Sequence, residues 1–73
     1  MPTKTTLEKF GERVRALRAE AGISQEKLAE LSGLHRTYIS GVERGERNPS
    51  LTSISRIAKA LKVSLSEVME GVD

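Results

Sequence analysis

An all-α fold of five short helices is what this 73-residue sequence predicts, and three observations lead there. Apolar residues recur at three- and four-residue spacing along most of the chain, and no stretch alternates with the period of two that a half-buried strand needs. Serine or threonine stands ahead of each of four such runs, at Thr5 or Thr6, Ser24, Ser50 and Ser64, where a side-chain oxygen can hold a free amide of the first turn. Between the runs, Gly22, Gly33, Gly45, Pro49 and Gly71 punctuate the chain.

Residues 1–5 are expected to form a loose end, followed by a first helix to about Ala21, stopped by Gly22. At about 100° per residue, Phe10, Val14, Leu17 and Ala21 fall on one stripe beside Leu7, which makes that side the core face. Arg18 lies next to the stripe and should lean inward. A second helix starts at Gln25 under a Ser24 cap; Lys27 stands where a capping box would need an acid. Leu28, Ala29 and Leu31 give it about two turns before Gly33, whose left-handed backbone ends it at little cost. Leu34 plugs the turn, His35 occupies the next cap, and a third helix runs from Arg36 to about Arg44.

The third helix has two unlike sides. Thr37, Ser40, Gly41 and Arg44 lie together and follow Arg36, giving a small, polar, basic face; Ile39 and Val42 lie roughly opposite, as a stripe to be buried. Ala29 supplies the small side chain that two helices crossing steeply over a tight turn require. Glu43 sits at the edge of the buried side and is the acid expected to pair with Arg18, since a guanidinium leaning into the core needs a partner. Gly41, unfavourable by about 1 kcal/mol inside a helix, implies a close approach, either to DNA or to the second helix.

Beyond Arg44, residues 45–49 read as a loop, because Pro49 steers Asn48 away from helix. Ser50 then caps a fourth helix with Leu51, Ile54, Ile57, Ala58 and Leu61 on its core side. Ser64 and Glu67 form a capping box that opens a last helix through about Glu70. The chain is expected to be one domain, 1–73, with its organising motif at about 24–44 and a terminal helix at about 64–70.

Composition narrows the function. Without cysteine there is neither a disulfide nor a thiolate, and a lone His35 can build neither a metal cluster nor a nucleophile–base pair, so no catalytic residue, metal site or cofactor is expected. No Gly-rich phosphate loop follows a strand. The amino-terminal stretch lacks a signal core and no run is long enough to span a bilayer, so the chain reads as cytoplasmic. Net charge is only +2, but residues 33–62 carry six basic against two acidic side chains while residues 63–73 carry three acids and no base. Positive charge therefore gathers at and after the third helix, where neutralising DNA phosphate would require it.

A basic, exposed helix of this kind reads as a DNA reader. Arg36 is assigned to base contact, since arginine grips guanine O6 and N7 with two bonds, with Thr37 and Ser40 beside it. So few readers leave DNA shape a share of the specificity. Tyr38 either packs on the scaffold or reaches the groove with its hydroxyl. Gln25, His35, Arg44, Arg47 and Asn48 are assigned to the DNA backbone, with a structural role the other reading of His35 and an ordinary surface loop the other reading of Arg47 and Asn48. Val68, Met69 and Val72, apolar and near the chain end, are assigned to a homodimer interface, because a domain this small cannot cover them all itself.

The run ISQEKLAELSGLHRTYISGVER, continued by Gly45 and by Asn48-Pro49-Ser50-Leu51, resembles the helix-turn-helix of the lambda-repressor and Cro-like (XRE-type) regulators over nearly the whole chain. RTYISGVERGERNPSL looks most like the small controller proteins of restriction–modification systems, although phage repressors and antitoxins share much of it. The resemblance implies a transcriptional regulator that binds a pseudo-palindromic double-stranded DNA operator as a homodimer, with no small-molecule ligand. It implies the same Arg18–Glu43 pair, a DNA contact for Tyr38, and a surface around Glu26 and Glu30 that can touch RNA polymerase. The rival reading is an antitoxin-like protein that neutralises a partner toxin and autoregulates its operon; an end soon after the last helix favours the regulator.

Overall fold

The computed structural model describes residues 3–73, and among them five helices and no strand are found: α1 Thr6–Ala21, α2 Gln25–Ser32, α3 Arg36–Glu43, α4 Leu51–Leu61 and α5 Leu65–Val68. Of the expected loose end, residues 1 and 2 lie outside the described residues, while Lys4 pairs with Glu12. Each start follows from its capping residue. Thr5 accepts from the Glu8 amide and the Glu8 carboxylate returns the bond to the Thr5 amide, so the first cap is Thr5 rather than Thr6 and is a full box. Ser24 and Ser50 cap singly, and Ser64 with Glu67 forms the second box. His35, by contrast, caps α3 with its backbone alone.

One core joins all five helices. Phe10, Val14 and Leu17 of α1 meet Leu28 and Ala29 of α2, Ile39 and Val42 of α3, Ile57, Ala58 and Leu61 of α4, and Val68 of α5. The backbones of α1 and α3 come into contact, and Gly11 is what permits it. A Cβ there would come within 2.5 Å of the Val42 and Glu43 carbonyl oxygens, so the absence of a side chain lets the backbones touch. Arg13 closes the other side of α1, its Nε donating to the Glu67 carbonyl at 2.9 Å with Glu70 at 3.6 Å, which ties α1 to α5.

Several boundaries and faces differ from expectation. Arg44 is the C-cap of α3 rather than its last residue, and α5 ends at Val68. Leu51 is 75% exposed, because it sits at the first position of α4, ahead of the part that meets other helices. Leu31 is half-exposed, since the buried side of α2 is set by Leu28, Ala29 and Ser32, and Leu31 falls about 100° away. Ala21 is exposed as well; the core at that end of α1 is closed by Ile23, whose carbonyl accepts from Arg18.

Candidate nucleic-acid interface

The turn between α2 and α3 is built as its residues require. Gly33 adopts φ +75°, and Leu34 packs half-buried against the core. Ser32 beneath it bonds the Ala29 carbonyl and accepts from the Leu34 amide. Ala29, 7% exposed, lies between the helices. With Ile39, Val42 and Glu43 buried, α3 turns its other side outward, where His35, Arg36, Thr37 and Arg44 are exposed and Tyr38 and Ser40 half-buried. The expected reading face therefore stands on the surface, less one member: Gly41 is buried.

What holds this helix from behind is a charged cluster. Arg18 meets Glu43 side by side, Nε to Oε2 at 2.8 Å and Nη2 to Oε1 at 3.1 Å, and spends Nη1 on the Ile23 carbonyl. Gln25 donates Nε2 to the same Oε1 at 3.0 Å, and Arg15 stands 3.7 Å away. The Glu43 side chain has no exposed surface, that of Arg18 18%. Burial pushes the Glu43 carboxyl up, but hydrogen bonds from Arg18 and Gln25 and the charges of Arg18 and Arg15 outweigh it and hold the group below its ordinary value. The hydrogen bond to Glu43 raises Arg18 in turn, against burial. The pair is the one the sequence suggested; the arms from Gln25 and Arg15 were not anticipated. Gln25 thus has a structural bond, which leaves one hydrogen of its side-chain amide for other partners.

Around the exposed face, Arg44 donates to the Ser40 hydroxyl and to Glu46, the latter at 3.1 Å. That contact holds the Glu46 carboxyl below its usual range. Arg47 is carried back over α3 and places its guanidinium 6.0 Å from the centre of the Tyr38 ring. Asn48 is exposed and Pro49 buried. A cleft of about 280 Å³ opens between the start of α2 and the start of α3, lined by Arg18, Ser24, Gln25, Glu26 and Arg36. Arg36, Arg44, Arg47 and the free amides at the start of α2 thus lie around one surface, an arrangement suited to a polyanion.

The expected interface residues are divided. Val68 is fully buried in the chain's own core, because a four-residue helix can pack only through such a residue, so it offers no surface to a second copy, contrary to expectation. Met69, 38% exposed, and the half-buried Val72 line a shallow apolar groove of about 100 Å³ with Leu7, Phe10, Pro49 and Ile54. Leu51, one helical turn before Ile54 on α4, is exposed and does not line this groove, although its spacing fits a core stripe.

Comparison with known proteins agrees with this geometry. The sequence profile of the helix-turn-helix family matches residues 14–68. The control proteins C.SmaI of Serratia marcescens and C.BamHI of Bacillus amyloliquefaciens are each 50% identical over 62 residues, covering 85% and 84% of this chain and 74% and 76% of theirs. Among solved structures, the restriction–modification controller protein C.AhdI of Aeromonas hydrophila superposes with a TM-score of 0.84 at 55% identity, over 85% of this chain and 94% of its own. The controller protein C.Esp1396I gives 0.86 at 40%, over 96% and 92%.

Proposed function

We propose, for a chain that belongs to the helix-turn-helix family of DNA-binding transcription regulators, that it is the controller protein of a restriction–modification system, binding a pseudo-palindromic operator as a homodimer. The observation that carries the reading is the outward row of exposed Arg36, Thr37 and Arg44 with half-buried Ser40, on a helix whose opposite side is buried and pinned through Glu43.

In this reading α3 enters the major groove. Arg36 takes a guanine edge, Thr37 and Ser40 contact neighbouring bases, and the Tyr38 hydroxyl reaches the groove from beside Arg47. The remaining amide hydrogen of Gln25, with His35, Arg44, Arg47 and Asn48, holds the sugar–phosphate backbone and sets the register. Two copies meet through Met69 and Val72, and the two-fold axis spaces the reading helices by about one turn of DNA, roughly 34 Å. Glu26 and Glu30 stand exposed on α2, and a bound dimer would offer them to RNA polymerase. No helix among the described residues is long and apolar enough to cross a membrane, which fits work on DNA in the cytoplasm.

Selection of duplexes from a randomised pool, followed by sedimentation of the complex, tests this. The expected result is an inverted repeat bound by two chains. Recovery of no common sequence, or of a single unrepeated site bound by one chain, would overturn it.

A further inference from the structure

Gly41 lies inside the reading helix, away from the α2 crossing, and what fills the place of its missing side chain is Arg47. A Cβ on Gly41 would stand 2.6 Å from Arg47 Cγ, 3.3 Å from Nε and 3.5 Å from Cδ. The arginine stem therefore lies directly on the helix backbone, and the guanidinium at its end reaches the Tyr38 ring. The loop is shaped to bring it there. Arg44 caps α3, Gly45 turns at φ +75° against the first turn of α1, and the Glu46 amide bonds back to the Gly41 carbonyl at 2.9 Å, so residue 47 passes over residue 41.

From this we infer that Gly41 is a positioning residue: its bare backbone is the seat that sets Arg47 over Tyr38 and so delivers a loop arginine, in a defined orientation, to the edge of the reading face. Any side chain at 41 lifts the stem off the helix. Arg47 then keeps its charge but loses its fixed direction, and the Tyr38 ring, which packs half-buried against the core, loses the cation on its outer face. The substitution to alanine is otherwise favourable, since alanine is the better helix former. Stability and DNA affinity therefore move in opposite directions, which a purely architectural glycine would not produce. This inference rests on the DNA-binding reading above for its functional part, but the seat itself is observable without DNA, because Tyr38 is the chain's only tyrosine and there is no tryptophan.

The test uses the full chain as wild type, Gly41→Ala, Arg47→Ala and the double variant. Near-ultraviolet circular dichroism of Tyr38 without DNA, urea melts, and affinity for a duplex selected by the wild type and for unselected duplex are measured on each. Gly41→Ala is expected to be at least as stable as wild type and to change the Tyr38 signal as Arg47→Ala does. It should also weaken the selected duplex by about 3- to 10-fold, in line with loss of one oriented charged contact. In the Arg47→Ala background it should cost nothing further. An unchanged Tyr38 signal in Gly41→Ala would overturn the inference, as would an unchanged affinity in Gly41→Ala where Arg47→Ala binds more weakly. An equal loss with and without Arg47 would also overturn it, since the glycine would then be needed for the approach of DNA itself. If Arg47→Ala binds both duplexes as wild type does while the Tyr38 signal responds in both variants, the seat stands and it is the assignment of Arg47 to DNA that fails.

Discussion

Replacing Arg18 by methionine removes two of the three hydrogen bonds that Glu43 accepts, along with the charge facing it, while leaving the carboxylate without any exposed surface. Stranding one member of a buried pair costs about 3–5 kcal/mol. The lower end applies here, because the Gln25 amide remains and Arg15 stands 3.7 Å away. A chain of 73 residues at 0.05–0.15 kcal/mol per residue has roughly 4–11 kcal/mol in all, so a loss of about 3 kcal/mol moves a urea midpoint far outside error. The pH dependence has a defined sign. In the wild type the folded-state pKa of Glu43 is below its ordinary 4.5, so its contribution is complete above that value and disappears as pH falls through the folded one. In Arg18→Met burial meets less opposition, since only Gln25 and Arg15 remain, so the carboxyl moves up from its wild-type position and acid relieves the variant by neutralising it. Urea melts at one protein concentration, at pH 7 and pH 4, should therefore show the gap between the two proteins shrinking on acidification. Arg18→Met with Glu43→Gln should be less damaged than the two single changes added together. Small additive losses, or a gap indifferent to pH, would refute the coupling.

Arg36→Ala is expected to cost about 1–3 kcal/mol on the selected duplex and to relax the preference at one base pair, read from a panel of single-base variants; an equal loss on every variant would remove it from the base readers. Gly11→Ala forces a Cβ against two backbone carbonyl oxygens and should destabilise by about 3 kcal/mol, with thermal melting as the check and a loss below about 1 kcal/mol contradicting the close α1–α3 contact. Met69→Asp should shift sedimentation toward monomer at micromolar concentration with the helical signal retained, whereas an undisturbed dimer would put the contact elsewhere. Val68→Ala should act differently, lowering stability by about 2 kcal/mol through a core cavity whatever the assembly state.

The parts of this molecule written in local chemistry were readable from the sequence. Caps at Ser24, Ser50 and Ser64, the Gly33 turn and the two sides of α3 depend on residues within a turn of one another. Even the Arg18–Glu43 pair followed from helical phase. Failures came where the outcome is set by a neighbour that spacing does not reveal. Leu51 and Ala21 have core phase, but the helices overrun their partners at those ends. Val68 looks like spare apolar surface, yet it is the only residue α5 buries. Gly11 drew no notice because nothing in α1 announces that another backbone presses on it. At Gly41 the expected approach was that of DNA or of α2, whereas what lies against it is a loop side chain arriving from six residues downstream. The Thr5–Glu8 box, finally, was present in the sequence and separates Thr5 from Thr6 once the acid three residues on is used.

An eight-residue helix such as α3 does not persist in water by itself, so its shape is lent by Ile39, Val42 and Glu43 on the side away from solvent. Arg36 and Thr37 contribute almost nothing to that loan, and exchanging exposed side chains of this kind changes stability by only about 0.5 kcal/mol in either direction. Target preference can therefore drift, or be redesigned, at these two positions without passing through an unfolded ancestor or requiring a compensating change in the scaffold. Ser40 and Arg44 are less free, since they bond each other and changing one releases its partner. A library aimed at new operators would vary Arg36 and Thr37 independently, vary Ser40 and Arg44 as a couple, and leave the glycine between them alone.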